Sequence, residues 1–275
     1  MALIDTHAHL SLLPERGLSL ADFFREWESQ GGGEILDIGT EPESLPSRRA
    51  LIEPCRGNTK VLYSAGAWPS EEVMRDPAAS LSQLERAIAG GPALDCDGTD
   101  GDSACGIIAA LGEVGLEYNH PEAPLEAQKK FFADCAALAE TARLPLIVHS
   151  RDAFADTLTI LKDARLGVPV IIHCFSYSIA EAQAFLDLGC YLSFSGAVTF
   201  KKNDSLRLAA AIIPAERLLY ETDSPYLCPE PHRGKVNTPN YLPYIVEVLA
   251  KARGEAAAAV EAAQAANFQR LFIKD

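Results

Sequence analysis

The stretch Ala2-Leu3-Ile4-Asp5-Thr6-His7-Ala8-His9 decides the fold. Its apolar start, residues 2–7, reads as a first β-strand. Two architectures alternate strands with helices, and the residues after this strand choose between them. A doubly wound open sheet usually has a glycine-rich phosphate loop after its first strand. Here the strand runs instead into two histidines spaced i, i+2. Further strand candidates lie at 34–38, 60–65, 108–112, 144–149, 168–173, 191–195 and 217–221. The segments between them read as helices. Residues 20–29 and 125–142 carry apolar side chains at helical spacing, and Leu125 comes after a proline, as helix starts often do. Residues 240–252 and 256–272 close the chain as two more helices. Eight strands alternating with helices over roughly 250 residues predict an α/β fold, the (β/α)8 TIM barrel. Neither an internal repeat nor a long linker divides the chain, so residues 1–275 are read as one domain.

One segment breaks the alternation. Residues 90–106, GGPALDCDGTDGDSACG, read as a surface-loop insertion rich in glycine and aspartate. Asp95, Asp97, Asp100 and Asp102 invite a calcium reading. Counted from Asp95, however, position six is Asp100 rather than glycine, and position twelve is not glutamate. The segment is therefore read as solvated chain.

The overall charge excludes one large class of function. Lysine and arginine number 24 against 38 acidic residues, a formal balance of −14. A protein that grips nucleic acid over a broad basic face is not built this way. A local contact with a phosphate remains compatible. No apolar run approaches the ~20 residues of a membrane helix, and the N-terminus lacks the series of a secretory signal. The 7 cysteines are odd in number and form no CxxC. A chain of this length buries a core without disulfide staples. They are read as reduced thiols of a cytoplasmic protein, with Cys96 and Cys105 the one pair sharing a loop. No oligomer signal is present, so a monomer is expected.

The histidines carry the chemistry. Of 6, at positions 7, 9, 120, 149, 173 and 232, four fall at the C-terminal ends of predicted strands: His7, His9, His149 and His173. That rim is where a (β/α)8 barrel builds its active site. His7 and His9 share one face of an extended strand, close enough for one metal ion. Asp5 lies on the same face, where it either orients a ligating imidazole or makes a structural hydrogen bond. Glu113, after the fourth strand core, and Asp223, ending the eighth, are carboxylates whose burial would be costly unless paired. Four histidines and two carboxylates suffice for two divalent ions if one carboxylate bridges. Arg151, Lys201, Lys202, Arg233 and Lys235 fall in loops of the same rim and suit an anionic substrate.

Taken together, these motifs resemble the TatD family of metal-dependent deoxyribonucleases, among the amidohydrolase-like metallo-barrels. The resemblance runs end to end through IDTHAHL (4–10), GEVGLEY (112–118), PLIVHSRDA (145–153), VIIHCFS (170–176), YLSFSGAVTFKK (191–202) and LLYETDSPYLCPEPHRGKVNTP (218–239). Three positions depart from the family pattern. Trp68 stands where a Gly-x-His-Pro motif carries histidine, Glu117 where aspartate is commoner, and Tyr177 where glycine is commoner.

The resemblance implies a two-metal site. His7, His9 and Asp223 would bind one ion, His149 and His173 the other, with Glu113 bridging. It implies hydrolysis of DNA phosphodiesters, often 3′-to-5′ from single strands or ends, with metal-bound water as the nucleophile. Asp223 would take the water's proton. Arg151, Lys201, Arg233 and Lys235 would contact the substrate, and His232 would protonate or position the leaving oxygen or simply hydrogen-bond its loop. Imidazole ligands suit zinc, while carboxylate and water suit magnesium or manganese. Two other readings stand beside this one: a metallo-barrel hydrolase acting on an amide, lactone or other phosphoester, and a non-catalytic metal-binding scaffold. Five basic residues and two metals on the rim predict a small positive mouth on an acidic body.

Overall fold

The structure, a computed structural model, describes residues 2–90 and 108–273. Most of the segment read as an insertion, including Cys96, Cys105 and the four aspartates, lies outside the described residues. Eight parallel strands are arranged around a single sheet in chain order: β1 Leu3–Ala8, β2 Gly32–Asp37, β3 Lys60–Ala65, β4 Ile108–Glu117, β5 Leu146–Arg151, β6 Val170–Ile172, β7 Tyr191–Phe194 and β8 Leu218–Tyr220. The helices between and after them are α1 Leu20–Ser29, α2 Leu45–Ile52, α3 Glu71–Arg75, α4 Pro77–Gly90, α5 Leu125–Ala142, α6 Phe154–Ala164, α7 Ile179–Asp187, α8 Asp204–Ile212, α9 Leu242–Arg253 and α10 Ala257–Phe272. This is the (β/α)8 barrel that the alternation predicts. No described helix is long and apolar enough to cross a membrane.

The helices form where the sequence supplies a stripe and a stop. In α1, Ser19 caps the first turn by accepting from the Asp22 N–H at 3.3 Å, and Leu20, Phe23, Phe24 and Trp27 form the buried stripe. In α5, Gln128, Phe131, Phe132, Cys135, Ala136 and Ala139 do the same, and the helix ends at Arg143 in the left-handed region. A second apolar cluster lies around α10 and the strand residues nearest it. It joins Ile4, Leu36, Ala110, Ile147, Ile171 and Leu219 to Phe268, Leu271 and Phe272 of α10. The last helix thus stops one end of the barrel.

The barrel closes between β1 and β8 largely through side chains and loops. Gln264 of α10 accepts from the Tyr220 N–H at 3.1 Å and donates to the Ile4 and Tyr220 carbonyls at 3.1 and 2.6 Å. Further along, Asp5 accepts from the N–H and the hydroxyl of Thr222. Beyond that, Ala8 bridges Ser224, and the Asp223 N–H donates to the His7 carbonyl at 2.9 Å. Asp5 also accepts from the His7 N–H at 3.1 Å, so its role is the structural one and it does not hold an imidazole.

Two strand ends differ from the sequence reading. β4 does not stop at Gly112 but continues to Glu117, which places Glu113 inside the strand. Glycine reads as punctuation in a sequence, yet here Gly115 permits close contact: a Cβ on it would run into the His149 carbonyl oxygen of β5. The β4–β5 register shifts between Leu111 and Val114, the interval that contains Gly112 and Glu113. β8 stops at Tyr220, so Asp223 is not its last residue but lies in the next loop, with a left-handed φ of 56°.

Candidate metal centre

The carboxylate of Glu113 is the hub of the site. Its Oε1 lies 2.7 Å from His149 Nδ1 and 3.0 Å from His173 Nε2. Its Oε2 lies 3.4 Å from His7 Nε2 and 3.6 Å from His9 Nε2. Each oxygen thus faces one pair of imidazoles. Asp223 Oδ1 completes the second pair, 3.7 Å from His7 Nε2 and 3.5 Å from His9 Nε2. All six side chains meet at one rim of the barrel, and five of them are buried.

The far nitrogens of the rings fix which atoms face inward. His9 Nδ1 is 3.2 Å from the Ile38 carbonyl oxygen, which can only accept, so that nitrogen carries the proton and Nε2 presents a lone pair. His149 Nε2 donates to Glu117 Oε2 at 3.0 Å, leaving Nδ1 as the lone-pair atom. His173 Nδ1 faces Glu221 Oε1 at 3.4 Å, and Glu221 is itself fixed by the Cys174 N–H at 2.6 Å. Neither ring nitrogen of the fully buried His7 has a hydrogen-bond partner.

This arrangement fits metal ions. Lone pairs of His149 Nδ1, His173 Nε2 and Glu113 Oε1 converge within about 3 Å, and acceptors do not crowd together without a cation or proton between them. Buried His7 makes no hydrogen bond, and its Nε2 is aimed between Glu113 and Asp223 where a ligand would satisfy it. Donor atoms of His7, His9 and Asp223, and of Glu113, His149 and His173, lie within 4.8 Å of one another in each group. Imidazole nitrogens with carboxylate oxygens suit zinc-like ions as well as manganese. The electrostatics show how strongly the carboxylates draw positive charge to these rings. Burial alone would raise the carboxyl of Glu113, but the surrounding imidazoles, His173 foremost, hold it well below the usual range. Burial likewise opposes charge on His149 and His173, yet Glu113 and the outer carboxylates raise both.

A cavity of about 590 Å³ opens over the cluster. Among its lining residues are His9, Glu113, His149, His173 and Asp223, together with Arg151, Trp68, His120 and Tyr226. Of the basic residues assigned to the rim, Arg151 alone lines it. Lys201 lines a separate cavity against α8 and α9. The Arg233 guanidinium lies over the Phe200 ring at 4.0 Å, and His232 stacks on Tyr241 with ring centroids 4.6 Å apart. Lys235 is exposed and does not line the cavity. Of the five basic side chains expected at the rim, the cavity lining includes Arg151.

Two carboxylates of the site, Glu117 and Glu221, escape a reading of the sequence as ligands. Both occupy the outer nitrogen of a histidine, and both sit an even number of residues from a singled-out ligand: Glu117 from Glu113, Glu221 from Asp223. That spacing is the signal available in the sequence.

A family model described as TatD related DNase matches residues 4–273. The chain is 34% identical over 278 residues to the uncharacterized metal-dependent hydrolase YcfH of Escherichia coli (strain K12), covering 100% of this chain and 97% of that protein. It is 32% identical to the uncharacterized metal-dependent hydrolase YabD of Bacillus subtilis (strain 168), covering 98% of both. Among solved structures, the TatD homologue YJJV of Escherichia coli K12 superposes with a TM-score of 0.84 at 27% identity, covering 99% of this chain and 98% of that one.

Proposed function

The chain belongs to the TatD related DNase family of metal-dependent hydrolases, and on that premise we propose that it hydrolyses DNA phosphodiester bonds at a two-metal centre, from single strands or 3′ ends. The observation that carries this reading is Glu113, whose two oxygens face two separate pairs of imidazoles. A carboxylate so placed is suited to bridge two ions. His7, His9 and Asp223 would hold one, His149 and His173 the other. Zinc, magnesium or manganese would supply charge to polarise a phosphate and acidify a water.

The chain's own groups have the remaining tasks. Asp223 lines the cavity with its carboxylate and is held ionised: burial opposes the charge, but His9 and His7 outweigh it. It is the base placed to take a proton from the attacking water. Arg151, exposed at the mouth, offsets the negative charge of the phosphate. Glu117 accepts from His149 Nε2 and would leave Nδ1 as that ring's inward lone pair, while Glu221, 3.4 Å from His173 Nδ1, is placed to orient the second ring.

The test is digestion of 3′-labelled single-stranded DNA with magnesium or manganese, beside amide, lactone and phosphotriester substrates. Stepwise shortening of the DNA, lost together with bound metal in Glu113→Ala, is the expected result. Turnover of an amide or lactone alone would replace this reading with another metallo-barrel hydrolase. Full metal occupancy with no turnover of any substrate would make the chain a scaffold.

A further inference from the structure

The cavity over the cluster has a single arginine and no lysine on its described walls, but two aromatic rings. Trp68 stands edge-on to His149, with ring centroids 5.9 Å apart at 73°. Tyr226, 45% exposed, stands edge-on to His9, at 6.1 Å and 72°. One ring therefore flanks each imidazole pair, and both line the cavity.

The main chain beneath both rings is tied to residues that would hold the metals. The Ala67 N–H donates to the Glu113 carbonyl at 2.9 Å, and the Trp68 N–H to the Thr40 carbonyl at 2.9 Å. Gly66 allows this closeness: a Cβ there would run into the Gly39 carbonyl and the Glu113 N–H. On the other side the Tyr226 N–H donates to the Asp223 carbonyl at 2.9 Å, and Asn237 donates to the Tyr226 carbonyl at 2.6 Å. A rigid aromatic face at a fixed offset from the reacting centre is what a stacking site requires. The other tryptophan, Trp27, is fully buried in the core and offers no such face.

We propose that Trp68, with Tyr226 opposite, is a nucleobase platform that selects unpaired bases of a single strand and sets the scissile phosphate over the Glu113 cluster. The platform rests on the proposal that DNA is the substrate. Stacking tolerates every base, since each has a π-face. It also adds to a phosphate grip for which the cavity lining offers Arg151. A base inside a duplex is already stacked on its neighbours, so the platform favours frayed or single-stranded ends.

The experiment compares two short single-stranded DNAs on the metal-loaded protein, one ending in an ordinary thymidine and one ending in a base-free tetrahydrofuran residue. Wild type should cleave the base-bearing strand about tenfold better through KM, the scale of one stacked base. Trp68→Ala should bring that ratio close to one, and Trp68→Phe should retain most of it. Titrating the same strands while monitoring tryptophan emission gives a readout independent of cleavage. Wild type should respond to the base-bearing strand, and Trp68→Phe, which keeps only the buried Trp27, should not. An unchanged ratio in Trp68→Ala, or a wild type indifferent to the base, overturns the platform. If no DNA is cleaved, the nuclease reading fails by itself. The emission titration then decides the platform: a base-dependent response supports it, and none overturns it.

Discussion

The inner face of the cluster is controlled by its outer carboxylates. Glu221 has no place in the expected ligand set, yet it lies 3.4 Å from His173 Nδ1 and accepts from the Cys174 N–H. Removing it frees the His173 ring and leaves the half-buried Cys174 N–H without its acceptor. Glu221→Ala should therefore weaken metal binding by about 10- to 100-fold, measured by titration against a chelator indicator. It should also cost roughly 1–3 kcal/mol of stability. Glu221→Gln, which still offers an oxygen, should recover the stability and part of the affinity. Unchanged affinity in Glu221→Ala would show that the ring is held by packing alone. His7 and His9 are legible in the sequence because an extended strand turns alternate residues to one face, and Glu113, His149, His173 and Asp223 because each follows or ends an apolar strand core. Glu117 and Glu221 are hidden because a carboxylate beside a ligand has no distinguishing pattern until the strands are paired. Asp5 is ambiguous for the same reason, and only the β1–β8 seam shows its work.

The elements are legible where periodicity decides them and obscure where a glycine serves packing. α1 and α5 carry complete apolar stripes, and their bounds match the reading at 20–29 and 125–142. β4 reads as ending at Gly112 because a flexible residue looks like an end, when it is the close approach to β5 that demands glycine. The seam is another feature invisible to patterning, since Gln264 lies 260 residues from Ile4. Gln264→Ala would leave the Tyr220 N–H and the Ile4 and Tyr220 carbonyls without these partners in a buried place. The expected cost is on the order of 3 kcal/mol, read as a lower midpoint in denaturant with an unchanged slope. Because the seam's far end is held separately by Asp5 and Thr222, metal affinity of the folded variant should stay near wild type. Loss of metal at full folding would show that the seam sets the site's geometry.

Across the whole molecule, the balance of −14 has a sharper meaning than the sequence allows. A positive mouth built from five side chains is not what the fold makes. Lys201, Arg233 and Lys235 are not among the residues that line the cavity, and Arg151 is the basic side chain on its lining. Such a body would neither steer nor grip DNA at long range, and binding of the proposed substrate would rest on the cluster and on what lies directly above it. Arg151→Ala should raise KM for single-stranded DNA at low salt. It should also flatten the slope of log KM against log salt by about 0.7, the contribution of one phosphate contact on a single strand. A slope that stays unchanged in that variant would place the phosphate elsewhere.

The central claim is that two ions sharing Glu113 make this chain a DNA hydrolase, and one titration tests it most directly. Metal-free protein receives increasing zinc or manganese while bound metal and cleavage of 3′-labelled single-stranded DNA are measured together. The account predicts two ions per chain, cleavage rising with the second, and neither in Glu113→Ala. Saturation at a single ion with full cleavage, or two bound ions with no cleavage of DNA, would contradict it.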